Sequence, residues 1–156
     1  MKKVLILTVI LIAIVIAGVI SQKYFNSSLF EVFKTPKVII NNHTFTLYVA
    51  KNPKDKEIGL SKYKSIDKDR GMLFPFEKPD YYPFWMKEMK FPIDIIFILD
   101  NHIVTIYKNV QPPTAKNESL PIFSPQAPTD KVLEINADLT QKYNFRQGDI
   151  VKFENL

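Results

Sequence analysis

The sequence contains no cysteine, only four glycines and, among its 21 basic residues, only two arginines, Arg70 and Arg146. Without a thiol there is no disulfide, no thiolate nucleophile and no sulfur ligand for a metal. The few glycines form no Gly-rich phosphate loop, and no Gly-x-Ser-x-Gly nucleophile elbow occurs. Nucleic-acid sites favour arginine for its bidentate fork. The nearly all-lysine basic set therefore argues against a nucleic-acid role.

Histidine is also scarce, since His43 and His102 are the only two. A protein metal site needs at least three ligands in a defined geometry. Two isolated imidazoles do not supply them, and we expect neither a metal site nor a cofactor.

One long hydrophobic run is present at the N-terminus. Lys2 and Lys3 precede an uncharged, apolar segment over residues 4–20, which as a helix would extend about 26 Å. This pattern predicts a single-pass transmembrane anchor over residues 1–20 (a signal-anchor) that contacts the membrane through residues 4–20. The domain would then lie on the extracytoplasmic side of the cell membrane. The alternative is a signal peptide cleaved near Ser21, which would give a secreted protein.

Residues 21–36 are interpreted as a tether, and residues 37–156 as a single globular domain. Short β-rich runs are separated by turn signals such as Asn41-Asn42 and Asp100-Asn101. Asn52-Pro53 predicts the start of a helix over 53–62, and Asp138, with Gln141 three residues later, predicts a capped helix over 139–145. The sequence thus predicts an α+β domain whose mainly antiparallel strands form a barrel or sandwich with two short helices. An open sheet with both helices on one face is the alternative.

Two carboxylates stand within predicted strands. The run from Ile93 to Leu99 is apolar on both sides apart from Asp94, which shares a side with Ile96 and therefore points towards a core. Asp94 either accepts structural hydrogen bonds or acts as a general acid or base. Glu134 faces water or a cleft. Together the two could form the carboxylate pair that glycoside chemistry requires.

Trp85, the only tryptophan, lies close in sequence to Lys87. The indole either belongs to the core or forms a platform for a sugar ring or another flat ligand. Lys87 is a candidate counter-ion for Asp94 or Glu134. We therefore predict that Trp85, Lys87, Asp94 and Glu134 converge on one site.

Several short motifs are more distinctive than a generic core: Gly71-Met72-Leu73-Phe74, Phe84-Trp85-Met86-Lys87, Pro92-Ile93-Asp94-Ile95 and Val132-Leu133-Glu134. With them, the chain resembles the domain-of-unknown-function 192 family over roughly residues 37–153. Lys56-Glu57-Ile58-Gly59-Leu60 is similar to the helix of that family. The resemblance implies a small, uncharacterised prokaryotic domain of a kind that is often exported, but it implies no reaction.

These observations leave three classes of function open. The first is a ligand-binding or accessory module of the cell envelope, with a carbohydrate or another envelope ligand. The second is a hydrolase or lyase that acts on an envelope polymer through Asp94 and Glu134. The third is a structural or assembly partner that uses the aromatic surface around Tyr81, Tyr82 and Phe84. The sequence does not decide whether the chain is an enzyme, and it does not fix the oligomeric state.

Overall fold

The computed structural model describes residues 11–22, 34–114 and 120–156. The chain divides into two compact units, Met1–Lys34 and Thr35–Leu156. In the first unit, residues 11–22 are helical. Residues 23–33, most of the predicted tether, lie outside the described residues.

The predicted transmembrane anchor over residues 1–20 is wrong. Within the described residues, no helix is both long enough and apolar enough to cross a membrane. The single-pass localisation at the cell membrane, which followed from the anchor, is therefore wrong as well. Residues 4–10 of the predicted span lie outside the described residues.

The second unit is built on one curled, seven-stranded half-barrel sheet with the strand order β5-β4-β6-β3-β2-β1-β7. The strands are β1 (Lys37–Ile40), β2 (His43–Val49), β3 (Arg70–Asp80), β4 (Ile93–Leu99), β5 (His102–Val110), β6 (Thr129–Asn136) and β7 (Val151–Glu154). Only β2 and β3 pair in parallel among the described strands. A mainly antiparallel α+β domain is thus confirmed, as a single curled sheet and not a sandwich.

Three short helical segments accompany the sheet: α1 (Pro53–Ile58), a 3-10 helix (Gly59–Lys62) and α2 (Leu139–Lys142). The predicted start at Asn52 is confirmed, because its side chain accepts a 2.9 Å hydrogen bond from the Asp55 N–H. Both helices are shorter than predicted. The first changes to 3-10 geometry at Gly59, and the second ends at Lys142 and not at residue 145.

The sheet buries both of its faces, since side chains alternate along each strand. The α2 face packs against α2 and the segment that follows it; its members include Leu73, Ile96, Ile98, Leu133, Ile135, Leu139 and Phe145. The α1 face packs against the 3-10 helix and the chain around Met86; its members include Leu60, Met72, Phe74, Ile95, Phe97 and Val132. The prediction that β4 is a strand buried on both sides is confirmed.

Asp94 lies on the α2 face, is completely buried and accepts four hydrogen bonds. The donors are the backbone N–H groups of Asn109 (2.8 Å), Asp138 (3.1 Å) and Thr140 (2.8 Å), and the Thr140 hydroxyl (2.7 Å). Asp138 has a φ of 66° and makes no side-chain capping hydrogen bond, which contradicts the predicted capping box with Gln141. The carboxylate of Asp94, distant in sequence, therefore satisfies the first turn of α2.

We expect Asp94→Asn to lower the free energy of unfolding by roughly 2–4 kcal/mol. The amide nitrogen cannot accept from N–H or O–H donors, and each lost hydrogen bond to a charged group costs about 1.5–3 kcal/mol. Chemical denaturation of both proteins measures the difference. Asp138→Asn is the matched control. Its cost should stay below about 0.5 kcal/mol, because its side chain caps nothing and Asn tolerates positive φ. Equal losses in the two variants would contradict the structural assignment of Asp94.

Candidate ligand-binding cavity

A cavity of about 380 Å³ opens on the α1 face of the sheet. Its lining comes from three parts of the chain: α1 with the start of the 3-10 helix, strands β3 and β6, and the segment 82–89. Pockets of roughly 300–1,000 Å³ are the usual size for small-molecule ligands.

Glu134 of β6 forms part of the cavity lining. Its strand neighbours in register are Met72 of β3 and Ile95 of β4, two apolar residues of the α1 face. The side chain is only 5% exposed, and its Oε2 atom has no hydrogen-bond partner among the described residues. Desolvation by burial raises the pKa of Glu134 from 4.5 to about 8. At neutral pH the cavity therefore contains an uncharged carboxyl group that can both donate and accept a hydrogen bond.

Gly59 allows the end of α1 to approach this carboxyl. Its φ of 53° lies in a region that L-residues rarely adopt. A Cβ atom at this position would lie 3.4 Å from Cζ of Phe74 and 4.0 Å from Oε2 of Glu134. Glycine thus permits the turn from α1 into the 3-10 helix, and it leaves space beside the carboxyl.

Aromatic rings form much of the cavity wall. Phe76 and Tyr82 stack with ring centroids 3.6 Å apart, and Lys56 Nζ lies 4.4 Å from the Phe76 centroid. Phe84 packs edge-on against Phe74 at 5.1 Å. Trp85 is 48% exposed, so a large part of the indole is available for contact.

The segment 82–89 has no regular secondary structure apart from a single β-bridge at Phe84. Phe84 and Phe123 exchange two backbone hydrogen bonds of 2.9 and 2.8 Å. Lys87 lies in the turn closed by the hydrogen bond from Met89 N to the Met86 carbonyl (3.1 Å). Outside this segment, Lys90 Nζ donates to the Ser61 carbonyl at 2.8 Å. These contacts attach the aromatic wall to the 3-10 helix and to the loop before β6.

Three of the four predicted site residues, Trp85, Lys87 and Glu134, line this cavity, whereas Asp94 does not. Asp94 pairs in register with Ile135, and Glu134 pairs with Ile95. Because consecutive side chains of a strand point to opposite faces, the two carboxyls lie on opposite faces of the sheet. The predicted convergence of all four residues, and the Asp94–Glu134 carboxylate pair, are therefore corrected. In the described part of the chain, Lys87 forms no ion pair with either carboxylate.

Several lining residues were not predicted, among them Lys56, Gly59, Phe76 and Tyr82. Gly59 carried a usable signal, since a glycine shortly after a capped helix start predicts a helix end with positive φ. Phe76 shares strand parity with Met72 and Phe74, so it could have been assigned to the same face. The contribution of Lys56 depends on how α1 packs and has no local signature.

The histidines lie elsewhere. His43 stacks on Tyr143 with centroids 3.8 Å apart, and His102 Nδ1 lies 2.9 Å from the Asp100 carbonyl oxygen. Over residues 11–22, 34–114 and 120–156, no three His, Asp or Glu side chains are grouped so that they could hold a metal ion.

Solved structures that resemble this chain include two of 30% identity. One, from Sinorhizobium meliloti 1021, is described as a "putative transcription regulator". It has a TM-score of 0.67 and 30% identity, and the match covers 78% of this chain and 93% of that chain. The other is a protein of unknown function from Novosphingobium aromaticivorans DSM 12444, with a TM-score of 0.65, 30% identity and coverage of 76% and 83%. A search of curated proteins finds no match.

The family comparison agrees with the resemblance carried by the sequence motifs. The DUF192 family, described as "Uncharacterized ACR", matches residues 37–153, which include every strand of the sheet except the last residue of β7. The chain belongs to the DUF192 family.

Proposed function

We propose that the domain is a ligand-binding module whose cavity takes a sugar ring. One observation carries the proposal. Oε2 of Glu134 is buried without a hydrogen-bond partner among the described residues, and it lies in a cavity with aromatic walls. Buried polar atoms nearly always have a partner, and an unpaired one costs about 1–3 kcal/mol. A ligand hydroxyl would supply the missing hydrogen bond.

The aromatic wall suits the remainder of such a ligand. Sugar rings present C–H groups on their faces and hydroxyls around their edges, so they combine apolar packing with hydrogen bonding. Trp85 offers an exposed indole face, and the stacked pair of Phe76 and Tyr82 offers a second apolar surface. An apolar pocket with a few polar groups is the usual form of a small-molecule site.

The other two classes of function receive less support. A hydrolase or lyase using Asp94 and Glu134 would need both carboxyls at one site, but they lie on opposite faces of the sheet. An assembly surface around Tyr81, Tyr82 and Phe84 would need these rings free. Only Tyr81 is more than half exposed, because Tyr82 stacks on Phe76 and Phe84 packs on Phe74. The description of one structural neighbour as a transcription regulator applies to that protein alone.

Binding can be followed through Trp85, since no second tryptophan contributes to the fluorescence. We expect a saturable change in Trp85 emission when a panel of neutral methyl glycosides is titrated. Glu134→Gln should retain affinity within a few-fold, because its amide also donates and accepts. Glu134→Ala should weaken binding by about tenfold, the equivalent of one lost hydrogen bond.

Lys108→Ala is the control for nonspecific effects, because Lys108 is exposed and does not line the cavity. Calorimetry with Trp85→Phe checks that the optical signal reports binding. No saturable response to any glycoside would overturn the proposal. An unchanged affinity in Glu134→Ala would do so as well.

The protonation state of Glu134 can be tested without a ligand. A folded-state pKa of about 8 against an unfolded value of 4.5 means that the native protein binds more protons between these pH values. The stability contributed by the protonated group is complete below about pH 4.5. It is lost as pH rises towards about 8, by at most about 1.4 kcal/mol per pH unit. The wild-type protein should therefore lose stability relative to Glu134→Gln across this window. A constant difference between the two unfolding free energies from about pH 5 to 8 would show that Glu134 is ionised in the folded state.

A further inference from the structure

The cavity lining contains more positively than negatively charged side chains. Lys56 and Lys87 are positive, and Glu57 is the negative group in the same lining. Glu134 is uncharged at neutral pH because burial raises its pKa. The lining therefore has an excess of one positive charge.

Neither lysine has an acidic partner in the part of the chain that the structure describes. Lys56 Nζ lies over the Phe76 ring, which leaves its hydrogen-bond donors available. The nearby Lys90 differs, because its ammonium group already donates to the Ser61 carbonyl. Two unpaired ammonium groups beside one cavity favour a ligand with negative charge.

The type of anion follows from the rest of the lining. Sites for phosphate commonly use arginine or a row of backbone N–H groups. Neither Arg70 nor Arg146 lines this cavity. A single excess positive charge is balanced by a monoanion, and a carboxylic acid such as Glu134 can donate its proton to a carboxylate oxygen.

We propose that the sugar bound by this cavity carries a carboxylate, as a uronic acid does, and that Lys56, Lys87 and the Glu134 carboxyl together recognise it. This inference rests on the proposed sugar-binding function and specifies the ligand class. The lysines supply the charge, Glu134 supplies a hydrogen bond and the aromatic wall packs on the ring.

The test compares two pairs of ligands, each a sugar acid and its methyl ester, in which esterification removes the charge and adds one methyl group. Trp85 fluorescence is titrated with the methyl glycosides of glucuronic and galacturonic acid and with their 6-methyl esters, at about pH 6.5 and about 20 mM salt. We expect the acids to bind roughly fivefold or more tightly than the esters, the size expected for an exposed charge pair. About 0.5 M salt should reduce this preference, since it shortens the screening length.

The variants assign the preference to residues. Lys56→Ala and Lys87→Ala should each remove most of the preference for the acid, whereas Lys108→Ala should retain it.

Raising the pH through about 8 ionises Glu134 and should weaken binding of the acid more than binding of the ester. Glu134→Gln should remove this difference. The other titratable groups in the lining are Lys56, Glu57, Tyr82 and Lys87, and the strand neighbours Met72 and Ile95 carry no charge.

The outcomes separate the two proposals. Equal affinities for acids and esters would overturn the carboxylate inference and leave sugar binding intact. A preference that survives both lysine substitutions would also overturn it. Tighter binding of glucose 6-phosphate than of the glucuronide would overturn the carboxylate inference and indicate a phosphate ligand. If neither acids nor esters bind, and the neutral panel also fails, both proposals are wrong.

Discussion

The hydrogen bonds that Asp94 accepts connect the paired strands β4 and β5 to α2, which strand pairing does not join to them. Its carboxylate links β4 to Asn109 near the end of β5 and to the first turn of α2. The register between β4 and β5 shifts beside this residue, and Asn109 has a φ of 49°. A carboxylate with several N–H donors satisfies both the irregular strand end and the helix start. This interaction attaches β4 to the end of β5 and to the helix that follows β6.

The register between β4 and β6 places two buried carboxyl groups on opposite faces of the sheet, where their hydrogen-bonding environments differ. Asp94 has four donors on the α2 face, whereas Oε2 of Glu134 has none among the described residues. Burial removes water from the Glu134 carboxyl, and this desolvation favours its protonated form. Glu134 takes this form in the lining of the cavity, where the residue is only 5% exposed. The domain thus combines one buried carboxyl that accepts four hydrogen bonds with another whose Oε2 atom has no partner among the described residues.

Local patterns in the sequence predicted much of the sheet but only part of the site. The Asn41-Asn42 pair predicted the turn before β2, and both residues have positive φ. The alternation of side chains along β4 predicted that Asp94 and Ile96 point to the same face of the sheet. Alternation could not show whether Asp94 and Glu134 share a face, because that depends on a one-residue register between β4 and β6. This register is a long-range pairing with no local signature. The apolar N-terminal run, in contrast, predicted a membrane span, and no described helix meets the required length and hydropathy.

The floor and the outer wall of the cavity have different structural origins. The floor comes from β3 and β6, where register determines that a carboxyl lies between Met72 and Ile95. The outer wall, residues 82–89, has no regular secondary structure. The Phe84–Phe123 bridge attaches it to the loop before β6, and the hydrogen bond from Lys90 to the Ser61 carbonyl attaches the chain just beyond it to the 3-10 helix. Substitutions of the exposed side chains of this wall, Trp85 and Lys87, would alter its shape and charge, whereas Phe84 and Met86 pack against the sheet. The position of the Glu134 carboxyl at the floor is therefore set by the strand register, whereas the charge of the lining comes from α1, through Lys56 and Glu57, and from the segment that carries Lys87.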